Sequence, residues 1–164
     1  MKSKNDLNND IKMSEKIIEK TRGLVKADFN FWVGLYMDKF YDSFEQKKIV
    51  ANKCPQCGEV FVPPRKICGI CNIKLPLDEN WVELSDTGTL INYTRTQYKV
   101  TDRRARKSKG FTTLGMVKID GSNSAIVYPL EVEFDDIEIG MKVKIKWTEK
   151  PKGGPSDIEG FVKV

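Results

Sequence analysis

The sequence contains no histidine, and cysteine occurs only four times in 164 residues. The absence of histidine removes the commonest general base, together with the Ser-His and Cys-His pairs that activate nucleophiles. No apolar run approaches the roughly 20 residues that cross a bilayer, and the polar amino-terminal stretch lacks the apolar core of a secretory signal. We therefore expect a cytoplasmic protein without a membrane segment and without catalytic activity of its own.

The cysteines fall into two Cys-x-x-Cys pairs with ten residues between the pairs. They are Cys54, Cys57, Cys68 and Cys71. This spacing is typical of two facing turns that bring four thiolates to one Zn²⁺ ion, and a site closed by four protein ligands is structural. Gly58 and Gly69 should supply the backbone freedom that such turns need.

Other interpretations of the cysteines are weaker. Two disulfides would suit a secreted protein, and a thioredoxin-like redox site would need only one Cys-x-x-Cys pair. A rubredoxin-like iron site uses the same ligands, and the sequence leaves that alternative open.

The amino-terminal part of the chain divides at about residue 28. Residues 1–28 are polar and form an extension that we expect to be partly helical or mobile. Residues 29–47 are crowded with aromatic side chains, several of them four residues apart, which predicts a helix with an aromatic face. This helix could pack entirely on its own domain. Because a helix that is apolar around much of its circumference needs more cover than a small ribbon offers, we favour the alternative that part of it docks on another protein chain. The candidate docking residues are Phe31, Trp32, Tyr36, Phe40 and Phe44.

The remainder of the chain is predicted to form β structure. Residues 48–80 form the predicted ribbon, with one strand before the first cysteine pair and one after it. Beyond residue 80 apolar and polar residues alternate in short runs that are separated by turns. These runs are residues 81–84 leading into 88–98, then 111–119, 124–130, 141–147 and 158–162. The fold class is therefore mainly β with amino-terminal helices, a rubredoxin-like zinc ribbon and a five-stranded OB-fold barrel over residues 81–164.

The order of motifs resembles a known family. The aromatic helix is followed by Cys54-Pro55-Gln56-Cys57-Gly58, Pro63-Pro64-Arg65, the second cysteine pair, Gly88-Thr89-Leu90, Asp120-Gly121 and Ile139-Gly140-Met141-Lys142-Val143. This order is similar to that of the zinc-ribbon plus OB-fold proteins associated with acyl-CoA enzymes, which were long catalogued as a domain of unknown function. Members of that family are accessory subunits of thiolase-type enzymes, including assemblies with HMG-CoA synthase.

The resemblance implies a scaffold in a hetero-oligomer. Its helix and ribbon would dock on a thiolase-fold subunit, and its barrel would help to form a shared site for CoA or an acyl-CoA thioester. The nucleophile that carries out the reaction would belong to the thiolase-fold subunit.

One segment carries the charge that such a site needs. The chain has a formal net charge of +5, and residues 99–110 alone hold six basic residues against Asp102. Since Arg binds phosphate oxygens bidentately and Lys acts as a point charge, this segment is the candidate site for the phosphates of CoA. Its candidate residues are Arg103, Arg104, Arg106, Lys107 and Lys109. A second loop, residues 148–157, is rich in Lys and Gly and should flank the same face.

A second class of function fits the same features. Zinc ribbons and OB folds both bind nucleic acid, and Tyr93, Tyr98 and Phe111 could stack on the bases of a single strand. We regard nucleic acid as the weaker alternative because the excess charge is confined to one loop, whereas a groove that follows a strand is basic along its length.

Overall fold

The computed structural model describes residues 32–97 and 111–164. The predictions for residues 1–28, for Phe31 and for the basic segment therefore lie outside the described residues. The compact unit considered below is Val33–Val164. No helix in the described ranges is long and apolar enough to cross a membrane.

The aromatic helix, α1, spans Leu35–Phe44 and is shorter than predicted. It begins after Gly34, whose φ of +86° favours glycine and turns the chain into the helix. The Gly34 carbonyl accepts hydrogen bonds from the N–H groups of Met37 and Asp38 at 3.0 Å. Trp32 thus precedes the helix and is not part of its aromatic face.

Three short strands form the ribbon sheet. They are β1 (Ile49–Lys53), β2 (Val60–Phe61) and β3 (Trp81–Leu84), in the antiparallel order β2-β1-β3. The sequence had assigned β3 to the barrel, but it pairs with β1, with Asn52 opposite Trp81. Alternation alone could not show this, because a strand's pattern specifies which residues are covered and not which sheet covers them.

The other five strands close into a barrel. They are β4 (Thr87–Thr96), β5 (Thr112–Ile119), β6 (Ala125–Glu131), β7 (Lys142–Trp147) and β8 (Ile158–Lys163). Their order around the barrel is β4-β5-β6-β8-β7, with β6 and β8 parallel and the other pairs antiparallel. The predicted fold class, mainly β with a cysteine ribbon and a five-stranded barrel, is confirmed.

Helix α1 and the ribbon sheet share a core with the barrel. Phe40 and Phe44 are 2% and 0% exposed and pack with β1 and with the barrel interior. The ring of Phe44 lies 5.3 Å from that of Trp147 on β7, edge to face. Aromatic pairs in this arrangement stabilise a core beyond the area they bury. The helix is therefore an internal support of the fold.

The turn between β5 and β6 fastens the barrel to the ribbon. The Asn123 side-chain oxygen accepts a hydrogen bond from the N–H of Val60 at 3.0 Å, and the Asn123 N–H donates to the Val60 carbonyl at 2.8 Å. The Ser124 hydroxyl accepts from the N–H of Val62 at 2.7 Å and donates to its carbonyl at 2.8 Å. These four bonds continue the ribbon sheet across the turn, where the sequence predicted only a hairpin.

Candidate functional site

The four cysteine thiols converge on one point. Their sulfur atoms all lie within 4.8 Å of one another, and those of Cys57 and Cys68 are 3.6 Å apart. Four sulfurs at the corners of a tetrahedron, each about 2.3 Å from a central Zn²⁺ ion, lie about 3.8 Å apart. The cysteines are thus positioned to bind a metal ion, consistent with structural zinc.

Each cysteine pair lies on a turn of the same kind. The N–H of Gly58 donates to the Cys54 carbonyl at 3.0 Å, and the N–H of Asn72 donates to the Cys68 carbonyl at 3.0 Å. Gly58 has a φ of +77° and Asn72 a φ of +53°, and both glycine and asparagine tolerate this left-handed region. The prediction for Gly58 is confirmed. That for Gly69 was wrong, because the residue that needs this conformation is the one directly after each second cysteine.

The sulfurs compete for protons. Burial raises the pKa of Cys54, but hydrogen bonds from the N–H groups of Cys57 and Gln56 and from neighbouring thiols outweigh it and lower that pKa to about 7. The hydrogen bond with Cys57, together with burial, raises the pKa of Cys71 to about 12. Four thiolates this close repel one another unless a cation balances them, and a bound metal ion would supply that balance.

Buried contacts hold the two turns together. Asn52 on β1 is 1% exposed, and its amide donates to the Arg65 carbonyl at 2.6 Å and accepts from the Arg65 N–H at 3.1 Å. Cys54 and Cys68 are buried with Phe61 and Leu75. The metal centre is therefore part of a small core of its own.

Helix α1 packs on the ribbon through Tyr36. The Tyr36 hydroxyl donates to the Leu75 carbonyl at 2.6 Å, and its ring stacks against Trp81 with 6.4 Å between centroids. Tyr36 is half-buried in this contact. With Phe40 and Phe44 in the core, three of the predicted docking residues pack inside the chain's own fold. The periodicity indicated an apolar face correctly but could not show that the ribbon and barrel cover it together.

A groove lies at one end of the barrel. It has a volume of about 310 Å³ and is lined where β4, β5 and β6 meet the connection to β7. Its lining residues are Arg95, Phe111, Thr112, Thr113, Pro129, Leu130, Glu131, Val132, Glu133 and Phe134. The sequence had singled out only Phe111 among them, because the others are scattered along the chain and come together through strand pairing.

An arginine between two aromatic rings marks this groove. The guanidinium of Arg95 lies 4.2 Å from the ring centroid of Phe111 and 4.4 Å from that of Phe134. Tyr93 meets Phe134 edge to face at 6.1 Å. Arg95 thus makes cation–π contacts with two aromatic rings that line the groove.

The second predicted loop, residues 148–157, directs its backbone hydrogen-bond donors to a carboxylate of its own. The Asp157 carboxylate is buried and accepts hydrogen bonds from the N–H groups of Lys152 at 3.0 Å and Gly154 at 2.9 Å. A side chain at Gly153 would come within 3.2 Å of the Glu45 carboxylate just after α1. These backbone donors are thus committed to Asp157, so the glycines of residues 148–157 act in packing.

The predicted CoA residues Arg103, Arg104, Arg106, Lys107 and Lys109 lie outside the described residues. Phe111, the first described residue after that segment, lines the groove.

Two solved structures share this architecture. A protein of unknown function from the DUF35 family of Sulfolobus solfataricus is 25% identical, with a TM-score of 0.52 over 66% of this chain and 75% of its own. The Ltp2-ChsH2(DUF35) aldolase is 23% identical, with a TM-score of 0.55 over 76% of this chain and 91% of its own. The chain has the DUF35 fold. No protein-family profile and no curated protein sequence matches it. The resemblance to the zinc-ribbon plus OB-fold family is confirmed by these DUF35 neighbours and by the cysteine cluster.

Proposed function

We propose that this DUF35-fold chain is a non-catalytic accessory subunit of a thiolase-type acyl-CoA enzyme complex. It docks on a thiolase-fold subunit and helps to form the binding site for CoA or acyl-CoA. The observation that carries the proposal is that this chain shares its fold with the Ltp2-ChsH2(DUF35) aldolase over 76% of its length. The name of that enzyme describes a DUF35 protein in a complex with a second component.

The ribbon supports a scaffolding role. The four cysteines would hold zinc, which supplies the positive charge that lets four thiolates share one site and closes both turns into one rigid unit. Helix α1 and the Asn123-Ser124 turn are both attached to this unit. Zinc would therefore fix the position of the helix against the barrel. Elemental analysis of the purified chain should find one zinc per chain, and iron in its place would support the rubredoxin-like alternative.

Exposed apolar side chains on the ribbon provide a docking surface. Ile67 and Ile70 flank the buried Cys68 and project from the second turn into solvent. Leu35 is exposed at the start of the helix that packs on the same ribbon. These residues replace Phe40 and Phe44 as the candidates for contact with the partner, because exposed apolar surface is what a hetero-oligomer buries.

A matched pair of variants tests the docking surface. Ile70 and Ile139 are 67% and 66% exposed, and both lie outside the strands and helices, Ile70 on the ribbon and Ile139 on the barrel. The tagged chain should capture a thiolase-fold protein from native cell extract in fixed proportion, identified by mass spectrometry. Ile70→Asp should reduce that capture at least about tenfold, whereas Ile139→Asp should leave it unchanged. Equal capture by both variants would remove the ribbon from the interface.

Single-stranded nucleic acid remains the second candidate. The stack of Arg95 between Phe111 and Phe134 on a barrel of OB topology favours it, since aromatic residues on such barrels stack on bases. The carboxylates of Glu131 and Glu133 oppose it, because they line the same groove and repel a phosphate backbone. Binding of an oligonucleotide that weakens steeply with salt, without capture of a thiolase, would reverse the order of the two candidates.

A further inference from the structure

One cysteine of the metal centre is open to solvent. Cys57 lies in the first turn, where residues 55–58 are all exposed. Cys54 and Cys68 are each 1% exposed, and Cys71 is half-buried. A small oxidant in solution can therefore reach the sulfur of Cys57, whereas the fold shields those of Cys54 and Cys68.

A second sulfur lies beside that of Cys57 on the other turn. The sulfur atoms of Cys57 and Cys68 are 3.6 Å apart. Because a disulfide bond is about 2.05 Å long, a movement of about 1.5 Å would join the two turns. Metal ligation would hold both sulfurs as thiolates, which is the form that reacts with oxidants. An exposed thiolate next to a second cysteine is the arrangement typical of redox-sensing sites.

We propose that Cys57 is the site at which a peroxide oxidises this chain, and that Cys68 converts the product into a disulfide between the two turns. In the first step the Cys57 thiolate attacks hydrogen peroxide, the O–O bond breaks, and a sulfenic acid and a hydroxide ion result. In the second step the Cys68 thiolate attacks the Cys57 sulfur, and the S–O bond breaks with loss of a second hydroxide. The two sulfurs lose two electrons, and the peroxide gains them.

The disulfide would take over part of the role of the metal. Oxidation removes two of the four ligands, and the two that are left, Cys54 and Cys71, cannot close a tetrahedral site. The new bond still joins the first turn to the second across the ten residues between Cys57 and Cys68. The ribbon should therefore release zinc without separating its turns, and reduction should restore the site. This inference goes beyond the accessory function and does not depend on it.

The position of the disulfide tests the chemistry directly. Trypsin cleaves after Lys53, Arg65, Lys66 and Lys74, so the two cysteine pairs separate into the peptides 54–65 and 67–74. The zinc-loaded full chain is treated with roughly one equivalent of hydrogen peroxide, alkylated, digested and analysed by mass spectrometry. A disulfide between the turns links the two peptides, whereas a disulfide within a pair leaves them separate.

We expect the two peptides to be linked through Cys57 and Cys68, with one zinc released to a colorimetric chelator for each disulfide formed. Dithiothreitol and zinc should reverse both changes. Disulfides within the pairs, zinc release while Cys57 stays a free thiol, or no oxidation at all would overturn the proposal.

A matched pair of variants tests the order of reactivity. Histidine is an ordinary zinc ligand, and sites with three cysteines and one histidine are tetrahedral. Cys57→His removes the exposed sulfur, so zinc release by peroxide should slow at least about tenfold. Cys71→His leaves Cys57 and Cys68 in place, and release should stay within about twofold of that from the unaltered chain. Equal rates for the two variants would contradict the role of Cys57. The peptide analysis needs no variant and decides the proposal even if one of them fails to bind zinc.

Thermal unfolding tests whether the disulfide replaces the metal. The oxidised, zinc-free chain should have a Tm at least about 5 °C above that of the reduced chain stripped of zinc by a chelator, because a cross-link of this loop length stabilises the folded state. An equal or lower Tm would refute the replacement. Neither measurement involves a thiolase, so this proposal and the accessory function can fail separately.

Discussion

The buried amide of Asn52 provides the sharpest test of how the ribbon is held together. Asn52→Ala removes both hydrogen bonds to the backbone of Arg65, at 2.6 and 3.1 Å, from a site where the side chain is 1% exposed. Each such bond contributes about 1 kcal/mol, and a buried backbone group left without a partner costs about 1 to 3 kcal/mol. We expect the free energy of unfolding to fall by about 2 to 3 kcal/mol.

The measurement combines global and local readouts. For a chain of this length, about 1 kcal/mol corresponds to roughly 2 to 4 °C in Tm, so the Tm of the zinc-loaded Asn52→Ala variant should fall by about 5 to 10 °C. The rate of metal transfer to a chelator should rise, because Asn52 links the strand before the first cysteine pair to the residues before the second. Asn92→Ala is the control, since within residues 32–97 and 111–164 that exposed amide accepts a single hydrogen bond, from the N–H of Tyr93 at 2.8 Å. A Tm and a transfer rate equal to those of the control would refute the role given to Asn52.

Two further predictions concern the barrel. Burial, with help from Tyr41 and Asp157, raises the pKa of Tyr128 from 10.0 to about 12. The contribution of Tyr128 to stability should therefore be constant below about pH 10 and fall as the pH rises towards 12. Tyr128→Phe should flatten that decline in urea unfolding at a series of pH values, and an unchanged slope would contradict the assignment. Ser124→Ala removes both bonds to Val62 and should lower the free energy of unfolding by about 1 to 2 kcal/mol, with amide exchange in β2 accelerated. Unchanged exchange there would show that the turn does not fasten the ribbon.

The sequence predicted the features that depend on local pattern. The cysteine spacing identified the metal centre, because four ligands on two tight turns need that spacing. Alternating runs located the five barrel strands. The cysteine spacing alone could not show that the left-handed residue of the second turn is Asn72 and not Gly69. That position depends on where the turn closes relative to its second cysteine.

Features that depend on distant contacts were not predictable. The aromatic stripe of α1 indicated a face that needs cover, but Phe40 and Phe44 find that cover in a barrel encoded more than forty residues later. The groove joins Arg95, Phe111 and Phe134 from three separate stretches of chain. Only the pairing of β4 with β5 and of β5 with β6 brings these stretches to one end of the barrel.

The central claim is that the chain helps a thiolase-type partner to bind CoA. The most direct test is calorimetric titration of CoA into the zinc-loaded chain, into the captured partner, and into their complex. The account predicts that the complex binds CoA at least about tenfold more tightly than the partner alone, because the barrel adds contacts to the nucleotide end. Equal affinity of the partner with and without the chain would contradict it.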